Sequence, residues 1–214
     1  MATLLIPLVG PLQSWGVGDR FGERNSGNEP SKSGVIGLVC AALGRDRSES
    51  VADLAALRFG VRTDRAGTPV RDYHTALDVV AAGSEKRDTV LSNRWYLSDA
   101  AFLAGLEGDA ALLEVVHGAL QDPVWPIWLG RKACVPAAPV WRPDTLRRES
   151  QLRDALCQYP PAPGTEGEEF RLILDDPEGP HSRQDVPVAP FAERRFGWRR
   201  TRTEFVRWNS HESC

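Results

Sequence analysis

The chain has 214 residues, of which 42% are hydrophobic and 26% are charged, enough to bury the core of one compact domain or of one domain with an appendage. This composition excludes a mostly disordered chain. The formal net charge of −3 does not by itself favour nucleic-acid binding, so that function would require the basic residues to gather on one face.

The first half of the chain predicts alternating strands and helices. An apolar run at 3–9, ended by a Gly-Pro pair, indicates a buried strand. Ser33 is placed to cap an apolar helix at 34–43. The other elements predicted here are a helical turn at 53–57, a strand with one solvent-facing side at 58–64, and strands at 71–80 and 89–97 that form a long hairpin.

The second half is richer in proline and in charge. Its predicted elements are a turn of helix or strand from 98, a helix at 110–120, a strand-to-loop segment at 128–136, an arginine-bearing helix at 144–156, a strand at 170–174, an acidic, proline-punctuated stretch at 175–190 and a closing strand at 201–208. This order predicts an α+β, ferredoxin-like sheet with a hairpin insertion and a C-terminal extension.

The cysteines and the N-terminal apolar run indicate the cellular compartment of the protein. Cys40, Cys134, Cys157 and Cys214 share no CxxC spacing, which favours reduced thiols over a disulfide framework or a zinc site. The run at 3–9 lacks a basic leader and is too short to span a bilayer. We therefore expect a soluble, cytoplasmic protein with no membrane segment.

The basic residues are almost all arginine and are segregated along the chain. Only Lys32, Lys86 and Lys132 are lysine among the 26 basic residues. Arginine pairs bidentately with phosphate and stacks on bases, although a GC-rich genome would also favour arginine codons. Basic residues outnumber acidic ones at 131–153 and 194–207, whereas acidic residues dominate at 166–185. This distribution is compatible with one basic face.

The segment 10–44 places an aromatic ring, cations and the start of a helix close together in sequence. Trp15 is either a core aromatic or a ring that stacks on a base, and the flanking glycines favour close approach of a ligand. The residues before the helix resemble a P-loop, but Ser31 replaces the second glycine and Pro30 removes an N–H, so a nucleoside triphosphate site is not expected. A helix start that offers Lys32, Ser31 and Ser33 to one backbone phosphate needs no P-loop cradle and is compatible with the sequence.

Signals for catalysis are weak. The four histidines, at 74, 117, 181 and 211, are widely scattered, and no metal-ligand spacing or nucleophile elbow is present. The segment 71–74 is either an RNA-binding edge or, through Tyr73 and His74, the acid-base pair of a metal-independent ribonuclease. The segment 191–200 interleaves aromatics with arginines, which suits either RNA or an acidic partner subunit.

Six segments follow one another along the chain, at 10–16, 30–44, 71–75, 96–102, 129–134 and 185–197. Together they resemble one family, the Cas-five (RAMP-superfamily) subunits of type I-E CRISPR Cascade complexes. The segments cover most of the chain, so the resemblance is specific even though each segment alone is weak.

The resemblance implies a RAMP-type ferredoxin-like domain at 1–125 that carries a protruding thumb hairpin at about 71–97, completed by a basic, proline-rich part at 126–214. It also implies a non-catalytic subunit that binds the 5' handle of the CRISPR RNA, without cofactor or metal. Its partners would be the CasC backbone filament that it caps, the large CasA subunit and, mainly through the complex, target DNA in antiviral defence. A metal-independent endoribonuclease that processes repeat RNA is the alternative, and a pure protein-interaction module is a third possibility.

The expected RNA-binding residues combine charge, glycine placement and the family segments. They are Gln13, Trp15, Arg20, Arg24, Lys32 and Ser33 for the handle entry, Arg71, Tyr73, His74 and Arg94 on the hairpin base, and Arg131, Lys132, Arg194, Arg195 and Arg199 for phosphates.

Overall fold

A computed structural model describes residues 1–16, 23–80, 87–165 and 169–208. Its strands are β1 (Ala2–Val9), β2 (Leu12–Gln13), β3 (Glu23–Arg24), β4 (Arg58–Arg65), β5 (Thr68–Val80), β6 (Arg87–Ser98), β7 (Ala101–Gly108), β8 (Leu146–Arg148), β9 (Glu169–Asp175), β10 (His181–Pro187) and β11 (Phe196–Arg207). Its helices are α1 (Lys32–Leu43), α2 (Ala52–Ala55), α3 (Ala110–Gln121) and α4 (Leu152–Gln158).

The main sheet has seven strands in the order β10-β11-β9-β4-β7-β1-β8, and every pairing in it is antiparallel. The elements β1, α1, β4, β7, α3 and β8 form a βαββαβ unit whose strands lie in the order β4-β7-β1-β8. This is the ferredoxin-like arrangement expected from the sequence. The strands β9, β11 and β10 extend the same sheet beyond β4, so segments from both sides of residue 125 share one sheet. The division of the chain at that residue stays a prediction.

The long hairpin between β4 and β7 is confirmed, and it is slightly longer than expected. Its two strands pair from Thr68 opposite Ser98 to Val80 opposite Arg87. On its other edge, β6 pairs with the short strands β2 and β3, which makes a second, four-stranded sheet at the base of the hairpin. A bulge between Ala76 and Val79 includes Asp78, whose φ is 54°. The predicted hairpin tip at 81–86 lies outside the described residues.

Two apolar clusters cover opposite faces of the main sheet. The larger lies between the sheet and helices α1 and α3, and includes Ile6, Val39 and Leu113. The smaller lies under α4 and includes Leu5, Leu103 and Leu156. The alternation of β1 explains this division, because Leu5 and Ile6 are both fully buried on opposite sides of the same strand.

The start of α1 differs from the expectation in its capping residue. Ser31 is the N-cap, and its hydroxyl accepts a hydrogen bond from the Gly34 amide at 3.2 Å. Ser33 instead lies within the first turn. At the other end of α1 the chain turns at Gly44, whose φ of 70° is the left-handed conformation that glycine adopts without a Cβ penalty.

Three further element predictions were wrong in part. The strand β4 has no solvent-facing side between its ends, because Arg62 and Asp64 are 0% and 6% exposed and pair with each other. The predicted helix at 144–156 is instead the strand β8 followed by α4. The strand-to-loop segment predicted at 128–136 contains no strand. In the described part of the chain, no helix combines the length and hydrophobicity needed to cross a membrane.

Candidate nucleic-acid interface

The base of the hairpin gathers three arginines from distant segments, which we call the root cluster: Arg24, Arg94 and Arg131. Parallel pairing of β3 with β6 sets Arg24 beside Arg94, and β5 places Asp72 opposite Arg94 on the other side. The Arg94 Nε is buried and has no hydrogen-bond partner among the described residues. No ion pair with a described carboxylate compensates the three guanidinium charges.

Arg131, the third member of the root cluster, lies in the loop after α3 and contacts both other segments of the cluster. Its Nη1 donates to the Trp95 carbonyl at 3.1 Å and its Nη2 donates to the Arg24 carbonyl at 2.7 Å. The guanidinium carbon also lies 5.0 Å from the centroid of the Tyr96 ring. Arg131 therefore joins three segments, while the next residue, Lys132, is exposed.

The remaining hairpin residues divide between two faces. Because side chains alternate along a strand, Asp72 and His74 share the face of Arg94, whereas Arg71 and Tyr73 lie on the opposite face. Tyr73 is 61% exposed. The structure therefore separates the Tyr73 and His74 side chains that sequence reasoning considered together.

Gln13 and Trp15 belong to the core, which corrects their assignment to an RNA-binding surface. Both are 0% exposed. The Trp15 Nε1 donates to the Gln13 Oε1 at 3.0 Å, and the Gln13 Nε2 donates to the Leu8 and Ala100 carbonyls at 2.9 and 2.8 Å. With all polar groups engaged inside the fold, the indole has no face free for a base.

Lys32 and Arg199 also point inward, which corrects their assignment to phosphate contacts. The Lys32 Nζ donates to the Leu57 carbonyl at 2.6 Å and lies 3.4 Å from an oxygen of Asp175. Arg199 bridges Asp175 and Asp185, at 2.6 Å from each carboxylate. Burial lowers the pKa of Lys32, and Asp175 opposes that effect. This network ties the start of α1 to β9, β10 and β11.

A cavity of about 360 Å³ lies against α1 and brings together residues from four segments. Ser33 and Gly37 of α1 line it together with the aromatic rings of Trp125, Trp128 and Phe191. Arg47 reaches the same cavity, where its Nη2 donates to the Phe191 carbonyl at 3.2 Å. An opening with three aromatic side chains and a guanidinium has the composition that stacks bases.

The other expected phosphate residues lie on the surface beyond this cavity. Arg194 and Arg195 follow Phe191 in an exposed turn, and Arg195 forms an ion pair with Glu193 at 3.2 Å. Arg20 lies outside the described residues. Arg47 was not expected from the sequence, because the contacts that bring its loop to the cavity come from residues far along the chain. These are the hydrogen bonds from the Ala192 amide to the Arg47 carbonyl and from the Arg47 Nη2 to the Phe191 carbonyl.

The described residues contain no group of three or more His, Cys, Asp or Glu side chains arranged to hold a metal ion. What the interface offers instead is guanidinium groups, exposed rings and polar backbone. These groups can bind phosphates and stack on bases.

Comparison with known proteins gives consistent matches along nearly the whole chain. Residues 3–202 match the family described as CRISPR-associated protein (Cas_Cas5). The chain is 31% identical to the CRISPR system Cascade subunit CasD of Escherichia coli strain K12, over 75% of this chain and 78% of that protein.

Two solved structures agree with this match. One, described as the crystal structure of a Cas protein, is 47% identical with a TM-score of 0.80, and the alignment covers 96% of this chain and 95% of the other. A second, from a CRISPR RNA-guided surveillance complex, is 31% identical with a TM-score of 0.77, covering 95% of this chain and 90% of the other. The chain therefore belongs to the CRISPR-associated protein (Cas_Cas5) family.

Proposed function

We propose that this protein is the CRISPR RNA-binding subunit of a Cascade-type surveillance complex that targets foreign DNA. The observation that carries the proposal is the match, over 95% of this chain, to a chain of a CRISPR RNA-guided surveillance complex. The E. coli relative named as a Cascade subunit supports the same role. Such a complex acts in the cytoplasm and meets target DNA as an assembly.

Within that role, the protein holds the 5' handle of the guide RNA. The root cluster supplies guanidinium groups without carboxylate partners among the described residues, and Lys132 adds an exposed ammonium beside them. The cavity against α1 adds rings on which unpaired bases stack. On the hairpin, His74 shares the face of Arg94, and Arg71 and Tyr73 offer contacts on the opposite face. Ser33 at the cavity, and Arg194 and Arg195 on the exposed turn, add further proposed contacts.

The long hairpin also suits contacts with neighbouring subunits, for which we propose the CasC filament and the large CasA subunit. Its exposed apolar side chains extend along both strands and are unusual for a monomer in water. They are Val70, Tyr73, Leu77, Val80, Val90 and Leu91. The hairpin would then cap the CasC filament where the handle meets the spacer.

The protein is proposed to bind RNA without cutting it. Cleavage by an acid-base pair needs both side chains at one phosphodiester. Tyr73 and His74 occupy successive positions of β5 and so point to opposite faces of the hairpin. This arrangement favours the binding role over the ribonuclease alternative.

The test is purification of the protein with its complex, followed by sequencing of the bound RNA. We expect a short RNA with one fixed 5' end, bound less tightly as salt rises. Replacing Arg94 by Gln should weaken binding, whereas Arg148→Gln, which removes a 74% exposed side chain on β8, should not. Absence of RNA, or equal affinity of both variants, would contradict the proposal.

Catalysis is tested separately by incubating the purified protein with repeat RNA in the presence of a chelator. We expect intact RNA both for the natural protein and for His74→Ala. A cleavage product that disappears in the His74→Ala variant would establish the ribonuclease alternative.

A further inference from the structure

A second cavity, which we call the β4–β9 pocket, lies where the main sheet meets the base of the hairpin. It has a volume of about 490 Å³, and its walls include Asn28, Thr63, Arg65, Arg171 and Leu97. None of these residues was expected from the sequence to bind RNA. The volume is in the range of pockets that hold small molecules.

The sheet register aligns three side chains in a row, of which Thr63 and Arg171 line the pocket and Phe205 lies next to it on the neighbouring strand. Thr63 on β4 lies opposite Arg171 on β9, and Arg171 lies opposite Phe205 on β11. Opposed residues in an antiparallel sheet point to the same face. Phe205 is 64% exposed, so an uncovered aromatic ring lies at the strand position opposite Arg171.

Two polar atoms of the wall are buried without a hydrogen-bond partner among the described residues. They are the Thr63 Oγ1, on a residue that is only 9% exposed, and the Arg171 Nε. Buried polar atoms are nearly always paired in folded proteins. Arg171 is held in place at its other end, because its Nη2 lies 2.7 Å from Glu29, whose second oxygen pairs with Arg183.

The charges around the pocket leave a cation in excess. The Asp64 carboxylate in the wall is already neutralised by Arg62 and accepts from the Ala162 amide at 2.8 Å. Glu169 lies opposite Arg207 on β11. Arg65 has no carboxylate partner among the described residues.

We propose that the β4–β9 pocket holds one ribose-phosphate unit of single-stranded RNA. The Arg171 Nε and the Arg65 guanidinium donate to a phosphate oxygen, and the Thr63 hydroxyl pairs with the ribose 2'-hydroxyl. Both hydroxyls can donate and accept, so they form a matched pair. The attached base stacks on Phe205. This inference rests on the proposed RNA-binding function and adds to it a contact that distinguishes RNA from DNA.

The experiment compares the affinities of a single-stranded repeat RNA and of its all-deoxy counterpart. Thr63→Val removes the hydroxyl while keeping the shape, and should weaken RNA binding about three- to tenfold with little effect on the deoxy strand. Thr63→Ser keeps the hydroxyl and should retain the preference for RNA. The matched control is Thr201→Val, because the Thr201 Oγ1 is also buried without a partner among the described residues and Thr201 does not line the pocket.

The arginine contact is tested with a second matched pair. Arg171→Gln and Arg183→Gln each remove one ion pair to Glu29, but only Arg171 lines the pocket. Arg171→Gln should weaken binding of both strands and reduce the salt dependence by roughly one phosphate contact, whereas Arg183→Gln should not. Excess adenosine monophosphate is added as a competitor, to distinguish a pocket that binds a free nucleotide from one that binds a nucleotide within an RNA strand.

The outcomes separate this inference from the proposed function. If RNA binds and depends on Arg94, but the preference for ribose is unchanged by Thr63→Val, the pocket assignment is wrong. Equal effects of Thr63→Val and Thr201→Val on RNA affinity, or of Arg171→Gln and Arg183→Gln, would also overturn the assignment. So would saturating adenosine monophosphate that binds the protein without displacing the RNA, because the pocket would then hold a free nucleotide. If no RNA binds to any form, the proposed function itself fails.

Discussion

The guanidinium carbon of Arg131 lies 5.0 Å from the centre of the Tyr96 ring, and this contact fastens the loop after α3 to the base of the hairpin. The same guanidinium donates hydrogen bonds to the carbonyls of Trp95 and Arg24. One face of the guanidinium and one N–H of each terminal nitrogen are therefore already engaged within the fold. Arg131 combines a structural role with a position inside the root cluster.

This dual role predicts different effects at two neighbouring positions. Arg131→Lys loses the planar fork that spans two carbonyls, and should lower the free energy of unfolding by about 1–3 kcal/mol in chemical denaturation. Lys132→Gln should leave stability unchanged, because Lys132 is exposed, and should reduce the salt dependence of RNA binding by about 0.7 in the logarithmic slope. Equal destabilisation by both variants would contradict the structural role of Arg131.

Asp72 lies opposite Arg94 and opposes the positive potential of the root cluster. Asp72→Asn should therefore tighten RNA binding by about two- to fivefold at low salt, with a smaller effect at high salt. The matched control is Glu178→Gln, which removes the same charge from an exposed turn before β10. The RNA affinity measured by fluorescence anisotropy should rise only for Asp72→Asn. An equal rise for both variants would show that the net charge of the protein, and not the position of Asp72, determines the affinity.

The helix start at Gly34 packs against the ring of Trp15 without room for a side chain. A Cβ at Gly34 would lie 2.8 Å from the Trp15 Cε3 and 3.0 Å from the Ser31 Oγ, so Gly34→Ala should destabilise the protein by about 1–3 kcal/mol. Gly118 in α3 has no atom within 4 Å of the same position, and Gly118→Ala should stabilise it by about 0.5–1 kcal/mol. Thermal melting should shift in opposite directions, and a shift of the same sign would refute this packing.

Burial of the Cys40 thiol makes stability depend on alkaline pH. Burial raises the pKa of Cys40 from its ordinary value of 9.0 to about 11. Because the unfolded chain loses this proton first, the contribution of the thiol is complete below about pH 9 and is lost as pH rises towards about 11, an effect of roughly 2–3 kcal/mol.

The measurement is the free energy of unfolding of the natural protein and of Cys40→Ala, from about pH 8 to about pH 10.5. Other titrating groups are common to both proteins, so their effects cancel in the difference. We expect the difference in stability to shrink with rising pH. A constant difference would show that Cys40 ionises equally in the folded and unfolded chains.

Local pattern was sufficient to predict most elements of the fold. The apolar run of β1, the apolar face of α3 and the two strands of the hairpin all appear where periodicity placed them. Their side chains repeat at the spacing of a strand or a helix, which depends only on neighbouring residues. Where tertiary burial overrides the pattern, as at Arg62 and Asp64, the prediction of a solvent-facing side was wrong.

The expected binding site was predicted less well, because residue type does not reveal which way a side chain points. Trp15, Lys32 and Arg199 have the chemistry of RNA contacts, yet hydrogen bonds and ion pairs within the fold occupy all three. In contrast, Arg94 remains at the hairpin base without a carboxylate partner among the described residues. The difference between Arg94 and these three residues is whether the polar groups of the side chain already have partners within the fold.

The sequence alone determined the ferredoxin-like order of elements, the hairpin and the family, because these depend on periodicity and on short segments that follow one another in a fixed order along one chain. The tertiary structure decided which basic groups are available, because their availability depends on contacts between residues far apart in sequence. The strand register that aligns Thr63, Arg171 and Phe205 in one row is an example. No local pattern contains it, since strand pairing is fixed by the packing of the whole sheet.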